Sequence, residues 1–165
     1  MNTTVSMPAY VEPVIRSIRV AAPPARAFEI FSTGIDRWWI PTHSILASKS
    51  PQASVAIEPR VGGRWYERGQ DGSECDWGHV LAWEPPRRLV LAWQLDSRWE
   101  FDPLLVTEVE VRFDAEPGGG TTVTLEHRNI DRLGADADEF RKKVDAPNGW
   151  GAILNLVAAS VAAKE

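Results

Sequence analysis

Cysteine is nearly missing from this chain: Cys75 is alone among 165 residues. A single thiol excludes an internal disulfide and any cysteine-rich metal site, and it fits a reducing cytoplasm, the expected location. Histidine is almost as scarce. No two of His43, His79 and His127 stand four apart, as a pair of ligands on one helix face would, so the expectation is no metal and no cofactor. No apolar run approaches the roughly 20 residues that a membrane span needs. The opening MNTTVSMPAYVEP lacks a basic region followed by an apolar stretch and does not read as a signal peptide. Basic residues are outnumbered 18 to 23, a net charge of −5, which argues against nucleic acid or an anionic membrane as main partner. Gly62-Gly63 and Gly118 to Gly120 sit in turns without the following helix that a phosphate loop requires. Ser44 follows His43, but there is no Gly-x-Ser-x-Gly elbow for acyl transfer.

What the chain does have is tryptophan: eight, against two tyrosines. An indole is a large apolar body with one N–H donor, and it suits both cores and pocket walls. Hydrophobic content of 44% and charged content of 25% are ordinary for a soluble globular protein, and the length suits one domain. Residues 1–12, polar and punctuated by proline, read as a loose arm before a single domain over 13–165.

The last stretch, Asp145 to Ala163, organises the rest. Trp150, Ile153, Leu154, Val157, Ala158 and Val161 recur at helical spacing and make one broad apolar stripe. Asp145 can cap such a helix, and Pro147 fits its first turn. Nearly everything before it reads as strand. Val14 to Val20 alternates; Pro23-Pro24 ends it and opens a short helix through Phe31, and a second short helix is predicted over Ile35 to Trp39. Strands are predicted at Ser54 to Ile57, Arg64 to Arg68, Cys75 to Trp83, Arg88 to Leu95, Thr107 to Phe113 and Thr121 to His127, with the Asp71-Gly72 pair as a hairpin turn. Ala135 to Val144 is a charged helix, either a solvated face or a lid hinged at Pro147. Strands segregated from a covering helix indicate an α+β fold, a curved sheet gripping the last helix with a pocket between them.

The order of elements and the strings EPRVGGRWYERG, GSECDWGHVLAWEPPRRLVLAW, TEVEVRFD, TTVTLEHRN and GWGAILNLV resemble the START-type (SRPBCC) superfamily. They are similar to its branch named for the activator of the heat-shock-protein-90 ATPase. The resemblance runs from about Val14 to Ala163 and is most specific at Gly62 to Trp65, Glu84 to Leu89 and Gly149-Trp150. It implies a helix-grip fold: a curved antiparallel sheet, with elements in the order β-α-α, then five to six strands, then α, wrapped around a long C-terminal helix, with an internal cavity. Superfamily members bind lipids, polyketides or hormones, a minority catalyse cyclisations or dehydrations, and the namesake is a co-chaperone. Members of the branch are often dimers, so a homodimer is a further expectation. Pro147 and the pair Trp38-Trp39 depart from the family pattern, both where a cavity mouth would lie.

Alternation places several polar residues with the apolar face. His127 shares it with Val123 and Leu125, and Glu67 with Trp65; His79 shares it with Trp77 and Leu81 unless a kink in that strand reverses the phase. A carboxylate against an apolar cavity suits acid–base work beside a histidine, or the orienting of a ligand hydroxyl. The plainer reading is a hydrogen-bonded structural role for each. Trp38, Trp39, Trp65, Trp93 and Trp150, with Leu154 from the helix stripe, border the expected cavity, and as plain core they would fill it. Trp77, Trp83 and Trp99 are less well placed by phase. Three functions remain open: binding of a small aromatic, lipid-like or polyketide-like molecule; an enzyme using Glu67 and His127 as an acid–base pair; and a protein-interaction module with a chaperone partner. A charged outer face (Glu108, Glu110, Arg112, Glu126) lowers the third.

Overall fold

The computed structural model describes residues 10–40 and 43–162. Positions 1–9 of the expected arm lie outside them. Just after these, Val11 is buried, and Arg141 donates to the carbonyl oxygens of Glu12 and Pro13 at 2.8 and 3.3 Å.

Strand β1 (Val14–Val20) buries its two end valines. Proline opens helix α1 (Pro24–Phe31), where its missing N–H is not needed, and Ala27, Phe28, Ile30 and Phe31 turn inward. The expected second helix is only a 3₁₀ turn, Ile35–Arg37. Side chains take over from helical bonds there. The Trp38 indole N–H donates to the Ile30 carbonyl at 2.8 Å, and the Asp36 carboxylate accepts the Val55 N–H at 2.9 Å.

Six more strands follow: β2 (Gln52–Ile57), β3 (Arg64–Gly69), β4 (Glu74–Glu84), β5 (Arg88–Trp93), β6 (Thr107–Ala115) and β7 (Thr121–Arg128). Among the described residues they join β1 in one seven-stranded sheet, order β1-β7-β6-β5-β4-β3-β2. Every neighbouring pair is antiparallel. The register shifts at Gln52/Ser54, Trp65/Tyr66 and Val80/Ala82. Such bulges bend a strand and strengthen its twist, so the sheet curls.

A 3₁₀ segment (Ile130–Asp136) leads into α2 (Ala137–Asp145), and α3 (Trp150–Ala162) closes the described chain. Helix α2 is amphipathic. It buries Ala137, Phe140 and Val144, while Asp138, Glu139 and Lys142 are exposed and Arg141, Lys143 and Asp145 are half-buried. Helix α3 lies against β1, α1 and α2 and buries Trp150, Ile153, Leu154 and Val157. Asp145 does not cap it, contrary to the sequence expectation. That residue ends α2 and pairs with Arg16 and Arg141. Ala146 is extended (φ −65°, ψ 162°), as a residue before proline is pressed to be, and the helix restarts only at Trp150. The result is an α+β helix-grip fold.

The outer face of the sheet is a lattice of ion pairs. Glu110 accepts from Arg88 and Arg128, and Arg128 also meets Glu108 at 3.0 Å. Burial opposes ionisation of Glu110, but hydrogen bonds from Arg88 and Arg128 outweigh it and hold the carboxyl below its usual range. Among the described residues no helix is long and apolar enough to cross a membrane.

Candidate functional site

Sheet register builds the site. Trp65 on β3, Gly78 on β4, Trp93 on β5 and Thr107 on β6 are successive cross-strand partners in one inward row. No side chain fits at Gly78, since a Cβ there would lie 1.7 Å from the Ala92 carbonyl oxygen. The indoles of Trp65 and Trp93 meet across that gap, ring centroids 5.5 Å apart and edge to face. Trp77, the extra residue of the β3–β4 bulge, turns in beside them, 5.6 Å from Trp65 and 5.0 Å from Trp39.

Between this row and the last two helices lies a cavity of about 300 Å3. Five tryptophans wall it: Trp39, Trp77, Trp93, Trp99 and Trp150. His43, Ser44, Lys143 and Asn148 supply its polar side chains. Trp39 and Trp93 each keep a buried indole N–H without an acceptor among the described residues, as does Trp65 behind them. Leaving a buried donor unpaired costs about 1–3 kcal/mol.

Trp99 reaches the cavity from the tip of the β5–β6 connection. Asp96 Oδ1 accepts the N–H groups of Arg98 and Glu100, and Trp99 adopts a left-handed backbone, φ 62°. A bulky residue there is strained, yet it sets the indole 6.2 Å from Trp93 and 6.0 Å from Phe140. Lys143 Nζ donates to the Ser97 carbonyl at 2.7 Å and ties this tip to α2.

Of the residues predicted for the site, Trp39, Trp93 and Trp150 line the cavity. Trp38, Trp65 and Leu154 are buried as packing around it. Trp77 and Trp99, less well placed by phase, belong to the wall. Simple alternation fails at a bulge and says nothing of a hairpin tip. The Trp77 bulge also turns His79 to the outer face, opposite Arg64, where Nδ1 meets Gln94 Oε1 at 2.8 Å. His79 is therefore not a cavity residue.

Glu67 lies one layer beneath the cavity, fully buried. Its carboxylate accepts from Ser44 Oγ at 2.5 Å, the Ile45 N–H at 2.9 Å, Gln52 Nε2 at 3.2 Å and Trp77 Nε1 at 2.9 Å. Three of these donors belong to cavity-lining residues, so Glu67 fixes the wall from behind.

His127 is equally buried, in a chain of assignable protons. The Trp150 indole can only donate, so Nδ1 of His127 accepts, at 3.1 Å. Nε2 then carries the hydrogen and donates to Thr107 Oγ1 at 2.8 Å, and that hydroxyl donates to the Trp93 carbonyl at 3.2 Å. Burial pushes the imidazole down from 6.5 to about 3, so it is neutral. Among the described residues Glu67 and His127 share no hydrogen-bond partner, and they stand four strands apart. The structure does not assemble them as an acid–base pair. Burial, and then the Glu67 charge, pushes the Cys75 thiol up to about 11, which leaves no thiolate nucleophile near neutral pH. Among the described residues no cluster of three His, Cys, Asp or Glu could hold a metal ion.

The family model of the Activator of Hsp90 ATPase homolog 1-like proteins, AHSA1, matches residues 21–162. Among solved structures, the chain is similar to the anthrahydroquino-gamma-pyrone synthase Txn09, solved in complex with a ligand. The two share 38% identity over 93% of this chain and 99% of that one, with a TM-score of 0.62. It is also similar to CalC, a self-sacrificing resistance protein from Micromonospora echinospora, at 27% identity over 91% and 94% of the two chains, TM-score 0.65. Protein NE0264 from Nitrosomonas europaea, 12% identical over 92% and 94% with a TM-score of 0.60, shares the fold alone. No curated protein matches the chain. A family model spanning nearly the whole helix-grip domain, with a 38% identical relative along its length, shows that the chain belongs to the AHSA1 family of the START-type superfamily.

Proposed function

We propose that the protein binds a compact, flat aromatic molecule of polyketide type, bearing carbonyl or phenol oxygens, in the tryptophan-walled cavity. The observation that carries this reading is the wall itself: five indoles from separate parts of the chain around about 300 Å3. That volume is at the low end of the roughly 300–1,000 Å3 typical of ligand sites. It suits two or three fused rings better than a long acyl chain. Indole faces stack on flat rings. Oxygens on the ligand can be met by the His43, Lys143 and Asn148 side chains that supply the polar part of the wall. The name of one relative points the same way, a synthase of an anthrahydroquinone-type pyrone.

A second reading, turnover of the bound compound, draws on the synthase's name. Of the three histidines only His43 lines the cavity, edge-on to Trp39 at 6.3 Å, so acid–base work would fall to it.

One experiment addresses both readings. Tryptophan emission is titrated with 9,10-anthraquinone derivatives and, separately, with palmitate. Saturable quenching by the anthraquinones with an affinity of about micromolar or tighter is expected, with no response to palmitate. Quenching no stronger than that of free tryptophan amide would refute the binding reading. Chromatography of the recovered compound shows whether it returns altered.

A further inference from the structure

We infer that the cavity selects anionic aromatic ligands over neutral ones and that Lys143 sets this preference; the inference rests on the binding reading above. Lys143 is the only charged residue lining the cavity among the described residues. Its ammonium carries three donors. One goes to the Ser97 carbonyl at 2.7 Å, and Glu139, one turn earlier on α2, lies 3.7 Å away. Neither uses up the charge. The carbonyl is neutral, and the exposed Glu139 carboxylate is well screened by water. Because the hairpin tip already holds the lysine through the Ser97 carbonyl, a ligand has little side-chain ordering to impose.

The cavity wall itself does little to cancel this charge. No carboxylate lines the cavity among the described residues. Glu67 sits a layer below with both oxygens engaged. The Ser44 hydroxyl spends its proton on Glu67 and can only accept, so the donors left among the polar lining side chains include Lys143 and the Asn148 amide. The wall thus carries one cation and is short of negative charge. An ionised phenol, enol or carboxyl on a flat ring system matches it, and beside five indoles the ammonium acts through a medium less polar than bulk water.

The test uses the full chain at pH 7.5 with two probes of one skeleton, anthraquinone-2-carboxylate and its methyl ester. Each is titrated against wild type, Lys143→Met, which keeps the aliphatic stem, and Lys143→Arg, which keeps the charge. Wild type is expected to prefer the carboxylate about threefold to fivefold, the size of one partly exposed charge interaction. Lys143→Met should erase that preference by weakening the carboxylate alone, while Lys143→Arg retains it. Equal affinity of the two probes for wild type overturns the inference and leaves the binding reading intact. So does an equal loss for both probes in Lys143→Met. Binding of neither probe to wild type overturns both.

Discussion

His127 shows how a buried titratable residue can be wholly structural. The Trp150 N–H, the imidazole, the Thr107 hydroxyl and the Trp93 carbonyl form one directed chain with each proton placed. The chain needs a neutral ring. With its folded pKa at about 3 against 6.5 unfolded, the unfolded state binds the extra proton between those values. Stability is therefore full above about pH 6.5 and falls with acidity at up to about 1.4 kcal/mol per pH unit. The window from pH 6.5 to 4.5 isolates this group from the perturbed carboxyls, which act lower. Urea unfolding of wild type across that window should show the slope. In His127→Leu the slope should flatten, and an unchanged slope would assign it to another group. Alternation along β7 was enough to aim this side chain, and that of Glu67 on β3, inward. It could not show that their hydrogen bonds close among themselves, because those partners are far away in sequence.

At the scale of the element, α3 does what its stripe predicts, although it starts later. Gly149 is confined: a Cβ there would lie 2.1 Å from the Val144 carbonyl oxygen. Its own carbonyl accepts the first helical N–H, from Ile153, at 3.1 Å. Leu154 is 1% exposed. Leu154→Ala should cost about 2–5 kcal/mol in chemical denaturation, and a change under about 0.5 kcal/mol would mean that the stripe does not hold the sheet. The helix was legible because a 3.6-residue period needs only local sequence. Its start was placed too early, with Asp145 as cap, because proline suits a helix's first turn and a linker equally well. Strand β4 was the harder element. Two bulges shift its phase, at Trp77 and near Leu81, and a bulge depends on the partner strand as much as on its own residues.

In the whole molecule, tryptophans from distant parts of the chain form one continuous run of ring contacts. Trp38, Trp39, Trp77, Trp65, Trp93 and Trp150 follow one another at 5.0 to 5.7 Å. Some of this run is solid core: Trp38 and Trp65, like His127, are packed against their neighbours. The free space lies where Trp39, Trp77, Trp93, Trp99 and Trp150 converge under the hairpin tip and α2. Composition announced the indoles, but unfilled volume is a property of the assembled walls and has no local signature. The most direct measurement is a crystal structure of the protein soaked with anthraquinone-2-carboxylate. Density for the ring system is expected between Trp39, Trp93 and Trp150 with the carboxylate toward Lys143. Density confined to the groove between Arg16 and Asn155, or to the outer face of the sheet, with the tryptophan-walled space empty, would contradict it.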